Sequence, residues 1–513
     1  MGGQRMKRIV VVGGGSAGVM TAYTLKHRFP EKQITIVESK TIATVGVGES
    51  TLGGINNWLG MCGIKDQDFM KHCDASYKMS IRFENFYNKE AGYFHYPFGQ
   101  PDISGNHAQL NDWHFKKIIY PETPMNDYAD SMYPVMALVN QNKITDQDII
   151  PNWTFKGDVA YHFDAIKFAN WLKKEFKKIG GKVITGSITK VHQDETGIAS
   201  LYLDTQKYIK SDLFIDCTGF KSLLLGQAMK EPFESFENML PNNSAWATHL
   251  PYTNKKKELK PFTNCTAIQN GWVWNIPLWS RMGTGYVYSD KYISDDDALK
   301  QFQDYLGRDD LKFKKLKMRI GIHKNLWVKN VCAIGLSAGF IEPLESNGLL
   351  SVHDFLSVLT RTLERPVVSE FAKQNFNLRC HTMFRGFAEF VAMHYALSIR
   401  TDTEYWRDIQ KRKYPLEEKF TRFQSDFQRS HRQRYNDFHY PTAAGINAIA
   451  TGMHWGATDL SSLMYHRGGA DAKVFKNEWL PVIEKLEQKK KQWTQTVKKC
   501  PTLYNYLKRN IYI

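Results

Sequence analysis

One stretch near the N-terminus limits the fold more than any other. Residues 8–12 (RIVVV) form a short β-branched run suited to a buried parallel strand. Gly13-Gly14-Gly15-Ser16-Ala17-Gly18 follows without a break, and residues 19–27 then carry the small and apolar side chains of a helix. Residues 33–37 read as a second strand, and Glu38 closes it about twenty residues beyond Gly18. The spacing predicts a βαβ unit with glycines at 13, 15 and 18. Gly13 permits the tight turn, Gly15 lets a pyrophosphate approach the backbone, and Gly18 lets the helix pack close on the strand. The helix N-terminus adds free N–H groups and the positive end of its dipole. Glu38 accepts hydrogen bonds from ribose hydroxyls, which argues against a 2′-phosphate and so against NADP. The bland alternative is a glycine turn used only for packing.

The motif occurs once, so a second dinucleotide domain for NAD(P)H is not expected. Two later segments point to FAD. Residues 212–216 read as a strand running into Cys217-Thr218-Gly219. Residues 331–334 read as another, followed by Gly335-Leu336-Ser337-Ala338-Gly339-Phe340 and a helix starting near Ser346. The expected fold class is α/β, with an FAD-binding two-dinucleotide-fold (flavin-monooxygenase-like) core, substrate-domain insertions and a mainly helical C-terminal region. Residues 6–60, 180–225 and 325–355 are assigned to a discontinuous FAD domain. Residues 61–179 and 226–324, rich in Trp, Tyr and Phe, are assigned to the insertions, and 356–513 to the helical region, with breaks at Pro366, Pro415 and Pro441.

Composition narrows the function classes. With 42% hydrophobic and 23% charged residues, a chain of 513 residues affords a large core and is not wholesale disordered. No run approaches the length of a membrane-spanning helix, and the N-terminus has neither signal- nor transit-peptide character. Seven scattered cysteines without a CxxC pair read as reduced core thiols, which suits a cytoplasmic location. No histidine spacing suggests a metal. The formal net charge of +16 invites a nucleic-acid reading. No such motif appears, and the basic runs at 255–257 and 489–491 read as solvated faces.

Several segments together resemble the flavin-dependent halogenases of the tryptophan-halogenase type. Gly271-Trp272-Val273-Trp274-Asn275-Ile276-Pro277 is similar to that family's WxWxIP signature. Tyr77-Lys78-Met79-Ser80-Ile81-Arg82-Phe83 resembles the segment carrying its essential lysine. Matches also fall at the first glycine motif, at Gly46-Val47-Gly48-Glu49-Ser50-Thr51, at 214–220, at 339–346, and at His394-Tyr395 with Asp402 and Trp406.

The resemblance implies that FADH2, supplied by a separate flavin reductase, and O2 oxidise a halide to hypohalous acid. Lys78 then holds that acid or is halogenated by it, and delivers the halogen to a small electron-rich aromatic substrate, indole- or phenol-like. Chloride, bromide and iodide are all candidates. Glu345 corresponds to the family carboxylate that polarises the acid or takes the ring proton. The backbone N–H groups of Asn347 and Gly348 correspond to the halide site, Asn347 standing where threonine is common. The implied FAD contacts are Gly13, Gly15, Ser16, Ala17, Gly18, Glu38, Val47, Val191, Leu336 and Leu349. Trp272 and Trp274 are expected to bar an organic substrate from the flavin. His95, Phe98 and Trp455 are expected to touch the substrate.

Taken alone, Lys78 reads as a surface lysine, Glu345 as an acid favoured at a helix N-terminus, and the two tryptophans and His95 as packing. Rival readings stay open: a monooxygenase without halide chemistry, a flavin-binding protein without turnover, or a halogenase acting on a carrier-tethered substrate. The sequence is silent on self-association.

Overall fold

The computed structural model describes residues 5–39, 49–102, 112–416, 443–455 and 472–513. Strand Arg8–Val12 is central in a six-stranded sheet. Gln33–Glu38 flanks it in parallel on one side, with Lys182–Thr185 beyond. Leu213–Asp216 flanks it on the other, with Val331–Ala333 beyond, also in parallel. Strands Arg8–Val12, Leu213–Asp216 and Val331–Ala333 are buried along nearly their whole length, as a parallel sheet between helices requires. Helices Ser16–Arg28, Ala165–Lys178 and Gly348–Leu363 pack around this sheet.

The three turns singled out in the sequence therefore leave neighbouring parallel strands at their C-terminal ends, where open α/β sheets bind ligands. Contacts confirm the convergence. A Cβ built on Gly13, whose φ is +119°, would lie 2.2 Å from the Cys217 carbonyl oxygen. One on Gly335 would lie 2.6 Å from the Ala17 Cβ.

A seven-stranded sheet forms the second layer. It joins Ser80–Glu84 and Tyr93–Pro97 from the first insertion to Ser244–Pro251, Phe262–Ile268, Gly271–Pro277, Arg281–Tyr288 and Lys314–Lys317 from the second. The only parallel pairing in it, Ile81 opposite Thr263, is where the two insertions meet. A small three-stranded sheet, Glu49–Ser50, Ala160–Phe163 and Ser76–Lys78, bridges the layers.

Beyond residue 348 the described elements are helices: Gly348–Leu363, Glu370–Ala396, Glu404–Lys411, Ala443–Gly452, Ala472–Thr496 and Leu503–Asn510. Pro366 falls in the break between the first two, and Pro415 follows the third. Pro441 lies outside the described residues. Pro481 sits inside Ala472–Thr496. This region packs on the insertions: Lys490 pairs with Asp127 at 2.6 Å and Lys489 with Asp102 at 3.1 Å, and Tyr512 stacks on Trp279. The run at 255–257 is likewise structural in part, because Lys255 Nζ covers the Trp279 ring. All seven cysteines are free. No helix among the described residues is long and apolar enough to cross a membrane.

Candidate active site

The nucleotide end of the site is built from backbone. Helix Ser16–Arg28 begins after Gly15 with no side chain capping it, so its first N–H groups are available to phosphates. At Gly18 a Cβ would come within 1.9 Å of the Gly13 carbonyl oxygen, so only glycine closes the turn. Ser16 turns its hydroxyl to the Ala165 carbonyl, and Ala17 meets Gly335. Glu38 lies beside Gly14, where a Cβ would be 1.7 Å from its Oε2. That same oxygen takes a 2.5 Å bond from Lys173, which fixes the carboxylate at the end of its strand and leaves Oε1 to meet a ribose. This cradle fits a dinucleotide with an unphosphorylated ribose. Val191 is half-buried on strand Ile188–Asp194. Val47 lies outside the described residues.

Gly13→Ala is expected to cost about 1–3 kcal/mol of stability and to empty the cradle. Thermal melts check this: added FAD should raise Tm of the parent chain and leave that of the variant unchanged.

A cleft opens at the start of helix Gly348–Leu363, with Leu336, Phe340, Asn347, Gly348 and Phe387 in its wall. Leu349 is buried just inside the helix. Asn347 precedes the helix without a side-chain cap, so the first N–H groups are again left uncapped. Its Nδ2 donates to the Glu342 carbonyl at 3.3 Å, while its buried Oδ1 finds no partner among the described residues.

Beside this turn lie the two candidate catalytic groups. Lys78 ends strand Ser76–Lys78 and has no exposed surface. Its Nζ donates to the Thr51 carbonyl at 2.9 Å and to Ser346 Oγ at 2.8 Å, and lies 5.0 Å from the Phe98 ring centre. Burial pulls its pKa down to about 7, against an opposing pull from Glu345 and Cys265. Glu345 is the residue before Ser346 and is fully buried. Burial raises its pKa, while His394 and Lys78 oppose the rise. Ser346 itself sits at φ +58°, a left-handed backbone tied down by its hydroxyl bonds to Lys78 and Ser50.

His394 is a participant with no assigned role in the sequence reading. Its Nδ1 lies 3.1 Å from the Val391 carbonyl, so that nitrogen carries the hydrogen. Nε2 then faces Glu345 Oε1 at 3.1 Å as an acceptor. The approach is poorly aligned, and neither Glu345 oxygen has a well-directed partner among the described residues. Buried carboxyl oxygens without a well-directed donor are uncommon, which marks this spot as a candidate reaction site. Phe83 and Phe390 flank the imidazole, and Phe94 lies against Phe83.

The other expected contacts are placed as follows. Phe98 is beside Lys78. His95 is paired across the sheet with Arg82, on the face of its strand opposite Phe94 and Tyr96. Its ring is taken up by Ser80 Oγ at 2.9 Å and an edge contact with Phe262, and burial with Arg82 nearby lowers its pKa to about 3. Trp455 is half-buried just past helix Ala443–Gly452, whose Gly452 abuts Phe94. Trp272 and Trp274 are buried in the seven-stranded sheet with ring centres 6.2 Å apart. Trp272 Nε1 donates to Glu342 Oε2 at 3.1 Å; the same oxygen accepts from Asn242 and, at 2.5 Å, from Tyr395. Among the described residues no cluster of three His, Cys, Asp or Glu forms a metal site.

Comparison with known proteins gives one consistent result. The family model for tryptophan halogenase matches residues 8–463. The chain is 33% identical over 430 residues to tryptophan 6-halogenase SttH of Streptomyces toxytricini, covering 80% of this chain and 82% of that one. The SttH crystal structure superposes with a TM-score of 0.82 at 30% identity, over 98% and 99% of the two chains. The apo structure of VirX1 gives a TM-score of 0.90 at 36% identity, over 99% and 100%. Xcc4156, a flavin-dependent halogenase from Xanthomonas campestris, gives 0.86 at 25%, over 99% of each.

Proposed function

Because the chain belongs to the tryptophan halogenase family of flavin-dependent enzymes, we propose that Lys78 receives halogen from hypohalous acid and passes it to an aromatic ring beside Phe98, with Glu345 as the proton acceptor. The family uses FADH2, halide and O2, with the flavin reduced by a separate reductase. When bound, reduced flavin supplies the oxidising chemistry that turns halide into hypohalous acid.

The rest is done by the chain. The first N–H groups of helix Gly348–Leu363 hold the anion. Trp272 and Trp274 wall off the flavin side, so that a small acid passes and an arene does not. The neutral Lys78 amine displaces hydroxide from the halogen, forming an N–halogen bond and releasing water. The ring then takes the halogen, the N–halogen electron pair stays on nitrogen, and the proton leaving the ring carbon returns to Lys78 through Glu345. Lysine suits this step and arginine does not, because guanidinium never becomes a neutral amine near pH 7. The single observation that carries the reading is the burial of Lys78 and Glu345 at one spot, joined through Ser346, at the foot of the anion-binding turn.

The aromatic surroundings of the two groups, Phe98 beside Lys78 and Phe83 and Phe390 against His394, favour a flat, electron-rich substrate of the indole or phenol class. Mass spectrometry of such a panel, with FAD, a reductase, and chloride, bromide or iodide in turn, is expected to show mono-halogenated products. Hydroxylated and never halogenated products would instead establish a monooxygenase. Steady-state product formation should rise as pH passes upward through about 7, since Lys78 loses its proton there and only the amine reacts. A profile falling across that range would make the ammonium the working form.

A further inference from the structure

Lys78 is the last member of a buried row of hydrogen-bonding groups that the reaction above does not use. The small three-stranded sheet assembles it. His162 stands across from Ser50 on one neighbouring strand and from Ser76 on the other, and Lys78 follows Ser76 by two residues. Alternation along a strand therefore puts Ser50, His162, Ser76 and Lys78 on one face. Thr263 approaches from the seven-stranded sheet. Every one of these side chains is buried.

The direction of each hydrogen can be read from the far end of the row. Ser76 Oγ touches the Pro277 carbonyl, which only accepts, so the Ser76 hydrogen is spent there. Ser76 Oγ also meets His162 Nδ1 at 3.3 Å and must accept, which places the ring hydrogen on Nδ1. Burial and the Lys78 charge push the His162 pKa well below its ordinary value, so the ring is neutral and Nε2 is bare. Thr263 Oγ1, 2.9 Å away, must donate to it. Thr263 then accepts from Ser50 at 2.7 Å, and Ser50 from Ser346 at 3.0 Å. Ser346 is left with only lone pairs to offer Lys78 at 2.8 Å.

That polarity matters for an amine. A neutral Lys78 has two hydrogens and one lone pair. Thr51 carbonyl oxygen and Ser346 Oγ take the two hydrogens. The lone pair takes the remaining tetrahedral position, clear of both acceptors, and the Phe98 ring centre is 5.0 Å from the nitrogen. Reversing Ser346 would donate a hydrogen into that lone pair and block it.

We propose that the row Ser346–Ser50–Thr263–His162–Ser76 is a positioning device, with His162 as its polarity-setting residue, that holds the Lys78 lone pair open to the incoming halogen. It rests on the reading of Lys78 as halogen acceptor.

Thr263→Val cuts the row in the middle with little change of shape, and Thr263→Ser restores the hydroxyl. In Thr263→Val, halogenated product per FADH2 oxidised is expected to fall about 10-fold to 100-fold, the scale set by a misdirected reacting group. Hypohalous acid trapped in solution should rise to match, with flavin reoxidation unchanged. Thr263→Ser should return coupling to near the parent value. Ser76→Ala, which frees the His162 tautomer without touching the middle of the row, should uncouple in the same direction and serves if Thr263→Val folds poorly. Parent-like coupling in both Thr263→Val and Ser76→Ala overturns the proposal, as does a loss in Thr263→Val that Thr263→Ser does not repair. Parent-level product from a Lys78→Ala control would instead sink the underlying reading of Lys78.

Discussion

Lys78→Ala is expected to abolish halogenated product, by a factor on the order of 10³ or more, while the flavin is still bound and still oxidised by O2. The expectation follows from position. Lys78 lies in none of the segments that cradle the nucleotide, and its contacts are Thr51, Ser346 and Phe98. Removing it leaves hypohalous acid with no group to capture it, so the acid should appear in solution, where a chemical trap detects it. Lys78→Met fills the same space without an amine and separates chemistry from packing. Lys78→Arg is expected to be as inactive as Lys78→Ala. Product near the parent level in any of the three would remove the lysine from the reaction.

Glu345→Gln should lower turnover by about 10²–10⁴, the usual worth of a positioned proton acceptor. It should also move the pH profile, and the sign can be worked out. The Glu345 charge raises the Lys78 pKa against the pull of burial. An amide lacks that charge, so the Lys78 pKa falls further and the rising limb shifts to lower pH. A residual activity whose limb stays at about 7 would mean that Glu345 does not act on the lysine. An unchanged rate would leave Glu345 with a purely structural role at the turn.

The βαβ unit at the N-terminal end was legible from sequence because its logic is local. Gly13, Gly15, Gly18 and Glu38 sit within one βαβ unit, and each spacing maps directly onto a turn or a strand end. Lys78 was legible only through resemblance. Its own segment is unremarkable, and what sets it apart is burial against Thr51, Phe98 and Ser346, residues up to 268 positions away. The helix start was also shifted slightly: Pro343–Glu345 forms a 3₁₀ turn and the α-helix begins at Gly348. Ser346, left-handed at φ +58°, ends that turn and separates it from the helix proper. His394 fell within a matching segment, but nothing in its neighbours shows that it reaches Glu345. His162 and Thr263 gave no signal at all, since a lone histidine and a lone threonine in apolar strands read as ordinary core residues. The face that His95 uses was also hidden, because it depends on which strand Tyr93–Pro97 pairs with.

The two tryptophans of the signature strand look interchangeable in sequence and are anchored differently. Trp272 is bonded to the buried Glu342 carboxylate, itself held by Asn242 and Tyr395. The Trp274 indole N–H has no partner among the described residues, and its ring lies over Gly285, where a Cβ would come within 2.1 Å. On the proposal that these two rings wall off the flavin side, any attempt to widen the passage should therefore begin at 274. Trimming that ring forfeits only dispersion and apolar area, whereas trimming Trp272 strips a donor from a buried carboxyl group and leaves it short of a partner.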